Sequence, residues 1–143
     1  KAGAIFIIDY GYSFTEFYRE EREQGTLCCY FRHQINDDPF FLPGLQDITT
    51  HTEFSTLADI ALEQDLDVAG FHEQSDFLIA GDITSIAAKC HSEMTSADWL
   101  QQSAALKQLL MPGQMGQQFK VLSLTKNINS LPRLSVSDRR YQL

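Results

Sequence analysis

The chain has 143 residues, 43% of them hydrophobic and 21% charged, which describes one globular domain with one core and excludes a disordered chain. Its net charge of −8 argues against nonspecific nucleic-acid binding, which relies on neutralising phosphates, and suits a cationic partner better. No apolar run reaches the roughly 20 residues of a membrane-spanning helix, and the chain opens on Lys1 with no signal peptide, so translation is expected to start upstream.

Ala4–Ile8 is a continuous Ile-rich run, the pattern of a parallel strand covered on both faces. It ends at Asp9, and Gly11 is expected to let the chain turn. Tyr12–Gln24, rich in aromatic and charged residues, reads as a short helix or an exposed loop. Gly25 breaks it, and "TLCCYFRH" looks extended. From Gln34 to His51 the signals are turn-like, with Asn36-Asp37-Asp38-Pro39 and Pro43-Gly44 as breakers. A helix follows, with Phe54, Leu57, Ala58, Ala61 and Leu62 at helical spacing and Thr52 or Glu53 at its N-cap.

Leu66–Phe71 fits the next strand. Ser75 can cap a helix through "DFLIAGDITSIAAK", which Gly81 weakens. Ser96 caps a clearer helix, with Trp99, Ser103, Leu106 and Leu110 along one side and Pro112-Gly113 at its end. Phe119–Thr125 is the last strand, and the polar tail, which carries Pro132, is expected to fray. This order is α/β, and three strands give the Ile-rich one few neighbours; the chain reads as the second half of a larger sheet.

Three cysteines, Cys28, Cys29 and Cys90, form no C-x-x-C pair, which points away from a disulfide framework or structural zinc and toward a reducing compartment. Asp9 sits at a strand's carboxyl end, where open α/β sheets bind ligands, although an Asp there also caps turns. His51-Thr52-Glu53 matches half of a zinc-deaminase motif without the Pro-Cys-x-x-Cys half, so His51 is not expected to hold a metal. His33, Asp37 and Asp38 match no metal-ligand spacing, and His72 reads as structural. Nucleophile-elbow, P-loop and G-x-G-x-x-G patterns are all absent, so any nucleoside site has its main part elsewhere.

Several segments in order resemble the MidA-like family of S-adenosylmethionine-dependent methyltransferases. They are "AIFIIDYGYS", "GTLCCYFRHQINDDPFFLPGLQDITTHTEF" and "MGQQFKVLSL", and together they span roughly Gly3 to Lys126. Gly25-Thr26-Leu27, His33, Asp38-Pro39, Pro43-Gly44, Asp47-Ile48-Thr49, His51 and Phe54 fall in register with that family's pattern. Thr50, Thr52 and Glu53 depart from it; Glu53 replaces an Asp, and its longer side chain is expected to cap the helix less well.

The resemblance implies the C-terminal part of a Rossmann-like class I methyltransferase fold: mostly parallel, with an antiparallel last strand. Residues 1–127 would be the C-terminal portion of the methyltransferase domain and 128–143 a polar tail. "AIFIIDYGYS" would be the fifth strand and "DVAGFHEQ" the sixth. "FKVLSLTK" would be the seventh, slipped between them. The cofactor would be S-adenosyl-L-methionine, held by residues upstream of Lys1, with no metal.

The implied reaction is methylation of a protein arginine. One family member acts so on a respiratory complex I subunit during assembly, so the expected partner is a protein substrate, such as a respiratory-complex subunit, and not nucleic acid. Asp9 and Asp47 are the candidate substrate-facing carboxylates, since carboxylates orient a guanidinium through bidentate bonds. Tyr10, Gly11, Arg32, His33, Thr49 and His51 are the candidate substrate-binding residues. The expected location is the cytoplasm of a bacterium or the matrix of a mitochondrion. The alternative is a non-enzymatic assembly or scaffold factor on the same fold.

Overall fold

A computed structural model describes the whole chain except His33, Asn129, Ser130, Pro132, Arg133, Ser135 and Val136. His33 is therefore a candidate site residue outside the described residues. The elements run β1 (Gly3–Tyr12), α1 (Phe14–Phe17), β2 (Cys28–Phe31), β3 (Gln34–Asn36), β4 (Asp47–Thr49), β5 (Thr52–Glu53), α2 (Phe54–Glu63) and β6 (Asp67–Glu73). Then come α3 (Gln74–Ala80), α4 (Ile83–Glu93), α5 (Ser96–Leu110), α6 (Met115–Gln118) and β7 (Phe119–Lys126), with a short 3-10 turn at Arg140–Gln142.

The main sheet has the order β5-β1-β7-β6. β7 pairs antiparallel with β1 from Tyr10↔Phe119 to Gly3↔Lys126, and antiparallel with β6 from Glu73↔Lys120 to Asp67↔Thr125. The last strand thus lies between the other two, as expected, and β1 and β6 end at the same edge of the sheet.

One face of this sheet is closed by α2. Phe54, Ala58 and Ala61 from the helix meet Phe71, Leu122 and Leu124 from the strands, with Ile7 packed against them. Phe54 and Phe71 sit with ring centroids 5.3 Å apart. Burying each such large side chain contributes about 1.5–3 kcal/mol relative to leaving it exposed. On the other face Phe6 meets Phe77 of α3 at 5.4 Å. Ile5, Phe6 and Ile8 are about half exposed in this chain. The reason lies in pairing: only Gly11 and Tyr12, at its end, have a partner on the side away from β7 among the described residues.

Other local expectations are revised. Gly11 makes no turn; the strand continues through Tyr12. Its role is space, because a Cβ there would sit 2.2 Å from the Thr52 carbonyl oxygen and 2.6 Å from the Phe54 ring. Glu53 does cap α2, with its two carboxylate oxygens accepting from the Ser55 and Thr56 N–H groups at 2.7 and 3.0 Å. Partial burial raises its pKa, and the bonds from Thr56 and Ser55 outweigh that and hold it below the ordinary value. The helix expected after Ser75 is two helices. Gly81 closes α3, and Asp82, at φ 66°, turns the chain into α4. Thr95, not Ser96, caps α5, accepting the Asp98 N–H at 3.3 Å.

The region expected to be irregular from Gln34 to His51 contributes a second sheet, β3-β2-β4, whose strands are antiparallel. The turn chemistry between β3 and β4 is as expected: Asn36 Oδ1 accepts from the Asp38 N–H and Asp38 Oδ1 from the Phe40 N–H. The described part of the tail docks along β6 rather than fraying. The Arg139 N–H donates to the Phe71 carbonyl at 2.7 Å, and the Phe71 N–H to Asp138 Oδ1 at 3.2 Å. His72, fully buried, holds Leu134 through Nε2 at 2.7 Å from its carbonyl oxygen. Gly70 leaves room for that ring, since a Cβ there would lie 2.5 Å from it.

Candidate functional site

Because β1 and β6 end together, their last side chains surround a common cavity of about 470 Å³ at the carboxyl edge of the sheet. Tyr10 and Tyr12 reach it from β1, Glu73 from β6 and Lys120 from the start of β7. Period-two alternation puts both tyrosines on one face of β1. The segment Thr49–His51, leaving β4, closes one wall, and Tyr30 of β2 stands beside it. Arg139 and Gln142 of the tail complete another.

The aromatic side is layered. His51 stacks on Tyr12, with centroids 5.0 Å apart and planes 24° apart, and meets Tyr10 edge-on at 6.1 Å. Tyr10 rests on Phe119 at 3.9 Å. The Arg22 guanidinium carbon lies 4.0 Å over the Tyr12 ring, held by bonds from Nη1 to the carbonyls of Glu16 and Phe17. The His51 N–H donates to Thr26 Oγ1 at 3.2 Å, and its Nδ1 lies 3.3 Å from the Thr26 carbonyl oxygen. A carbonyl oxygen only accepts, so this contact assigns the neutral ring's proton to Nδ1 and leaves Nε2 as the acceptor.

The charged side is a compact network. Glu73 Oε1 lies 2.8 Å from Arg139 Nη1 and 3.7 Å from Lys120 Nζ, and Arg139 Nη2 lies 3.7 Å from Asp76 Oδ2. Lys120 also donates to the Gln117 carbonyl at 2.7 Å. Burial depresses the Lys120 pKa, Glu73 opposes the fall and the Arg139 charge adds to it. Beside the cavity, Tyr30 is pushed up, first by burial and then by Cys28, Tyr10 and Asp47.

Of the residues singled out from the sequence, Tyr10, Thr49 and His51 line this cavity, while Asp9, Gly11, Arg32 and Asp47 do not. Asp9 is occupied: Oδ1 accepts from the Tyr10 N–H and Oδ2 from the Thr52 hydroxyl, both at 2.8 Å, which ties β1 to β5. Asp47 pairs with Tyr30 across the second sheet. Arg32 is exposed at the β2–β3 turn with φ 50°, its guanidinium 5.4 Å from the Phe31 ring. Tyr12, Glu16, Tyr30, Glu73, Lys120 and Arg139 were not singled out. The alternation Tyr10-x-Tyr12 and the carboxylate Glu73 at a second strand's end were readable signals; Arg139 had none.

Among the described residues no Gly-rich loop lies between a strand and a helix at this cavity. Gly11, the glycine near the cavity, is walled in by the Thr52 carbonyl and Phe54. Gly25, Gly44 and Gly113 have open space but sit in loops, not between a strand and a helix. Glu73 is engaged by two cations. The described residues at the cavity offer aromatic faces and carboxylates rather than a backbone N–H loop.

Residues 1–72 match a family described as "Putative S-adenosyl-L-methionine-dependent methyltransferase", and the chain belongs to that family. It is similar, at 37% identity and a TM-score of 0.88, to the crystal structure of a COG1565 superfamily member from Burkholderia thailandensis bound to S-adenosyl-homocysteine. A native structure of an uncharacterized COG1565 superfamily protein from the same organism matches with the same identity and TM-score. These matches cover 99% of this chain but 36% and 38% of those chains, so the chain spans little more than a third of their length. No curated protein matches the sequence.

Proposed function

We propose that this chain is the acceptor-side part of a Rossmann-like, MidA-like methyltransferase that moves a methyl group from S-adenosyl-L-methionine to a protein arginine. The observation that carries the reading is the cavity at the carboxyl ends of β1 and β6, lined by stacked aromatics and by carboxylates. The order β1-β7-β6, with β7 antiparallel to both, agrees with such a fold. The B. thailandensis neighbour binds the demethylated cofactor, which supports the same cofactor here.

A guanidinium suits this lining. Its flat cation stacks on aromatic faces and pairs with carboxylates. The chain already does both with its own arginines, Arg22 over Tyr12 and Arg139 against Glu73. The work assigned to these residues is to orient the acceptor, with Tyr10 and His51 fixing its plane, Tyr12 backing His51, and Glu16 answering its charge. The proposal extends to a protein substrate such as a respiratory-complex subunit, met in the cytoplasm of a bacterium or the matrix of a mitochondrion.

The test is mass spectrometry of arginine-containing peptides incubated with the intact protein and S-adenosyl-L-methionine. One or two added methyl groups on arginine are expected. Methylation confined to another residue type sinks the arginine assignment.

A further inference from the structure

The second sheet carries a row of three residues in register: Ile35 of β3 opposes Tyr30 of β2, which opposes Asp47 of β4. Directly opposed side chains on one face of a sheet touch one another. Ile35 is 64% exposed, the Asp47 carboxylate is exposed, and Tyr30 lies between them at the cavity wall. Thr49, two residues beyond Asp47 on the same face, lines the cavity as well. The opposite face is partly covered: Cys29 is fully buried there, Asn36 bonds to Gln46 at 3.1 Å and Phe31 meets Phe41 at 6.4 Å, while Ile48 at the β4 edge stays 51% exposed. Of the two faces, only the one that carries Tyr30 and Thr49 adjoins the cavity.

We infer that this face, through Ile35, Tyr30 and Asp47, docks an extended basic and apolar segment of a protein and guides its next residue into the cavity. This inference rests on the proposed transfer to a protein acceptor. The row's chemistry selects the occupant. A cationic side chain reaches Asp47 with its charge, its stem lies on the Tyr30 ring, and an apolar neighbour covers Ile35. The row itself holds no cation to repel such a segment, and the chain's net charge of −8 favours its approach.

The experiment is fluorescence anisotropy on the intact protein with a labelled peptide of alternating valine and arginine, beside a control in which glutamine replaces arginine. Calorimetry with S-adenosyl-homocysteine runs in parallel. The arginine peptide is expected to bind and the glutamine peptide to bind more weakly. Asp47→Asn should weaken the arginine peptide about two- to fivefold, as for an exposed ion pair. Asp47→Lys should weaken it more, and 0.5 M salt should shrink the differences. Neither change should alter S-adenosyl-homocysteine binding. Cofactor binding together with a peptide affinity indifferent to Asp47→Lys and Ile35→Glu overturns the docking face and leaves the methyltransferase reading standing. Peptide binding that depends on Asp47, in a protein that binds no S-adenosyl-homocysteine, upholds the face and sinks the methyltransferase reading. A concentration-dependent dimer abolished by Asp47→Lys assigns the face to a second copy and overturns the inference.

Discussion

His51 lies flat on Tyr12, ring centroids 5.0 Å apart, while the Arg22 guanidinium also lies against Tyr12, 4.0 Å from its centroid. This contact joins the segment after β4 to the end of β1 and to the loop after α1. Tyr12→Ala removes both partners' contact. The expected loss is about 1–2 kcal/mol of stability, the usual scale of one aromatic and one cation–π contact, and Tyr12→Phe keeps most of it. Urea unfolding of both variants checks this.

His51 forms part of the cavity wall, and its Nδ1 is held 3.3 Å from the Thr26 carbonyl oxygen. In the intact protein His51→Ala should raise the acceptor KM about tenfold, the worth of roughly 1.4 kcal/mol of binding. The affinity for the cofactor should not change. Steady-state kinetics with cofactor calorimetry separates the two; a change in cofactor affinity alone moves His51 out of the acceptor site.

Gly11→Ala tests the β1–β5 junction. A Cβ at 2.2 Å from the Thr52 carbonyl oxygen meets backbone, which cannot rotate away. The expected cost is about 3 kcal/mol, at the upper end of ordinary overpacking. A denaturant midpoint unchanged from the parent protein contradicts this.

The tail gives a pH prediction. Burial raises the Asp138 pKa, and bonds from the Phe71 and Arg140 N–H groups and from the Arg140 side chain outweigh it and hold the pKa below the ordinary 3.8. A carboxylate lowered in the folded state contributes stability that is present above its unfolded value and lost as pH falls through the folded one. Glu53 at the start of α2 behaves likewise below its ordinary 4.5. Stability should therefore fall as pH drops below about 4.5, with less of a fall in Asp138→Asn and Glu53→Gln. Thermal melts of the parent and the two variants from about pH 6 to about pH 2, across the ordinary carboxylate range, read this directly.

Much of the main sheet was legible because its strands carry strongly apolar runs and the helix on it a clear helical spacing. Ile5, Ile7 and their β7 partners Leu124 and Leu122 read as strand, and Phe54, Ala58 and Ala61 read as one helix face. The second sheet was not legible. Strands of three and four residues, such as Gln34–Asn36, are too short to show alternation beside strong turn residues. The site was legible in part. Tyr10, Thr49 and His51 come from segments that the family resemblance singled out. Lys120 and Arg139 enter the cavity only because β7 crosses between β1 and β6 and the tail folds back on β6. Asp9 shows what position alone leaves out: it stands at the expected strand end, and its oxygens accept from the Tyr10 N–H and the Thr52 hydroxyl, which no pattern in the sequence announces.

The measurement that tests the account most directly is calorimetric titration of the intact protein with S-adenosyl-L-methionine, set beside the same titration of residues 1–143. The account predicts saturable one-to-one binding by the intact protein and none by residues 1–143, whose described residues place no Gly-rich loop between a strand and a helix at the cavity. Absence of binding to the intact protein contradicts the methyltransferase reading. Tight binding by residues 1–143 alone contradicts the assignment of this chain to the acceptor side.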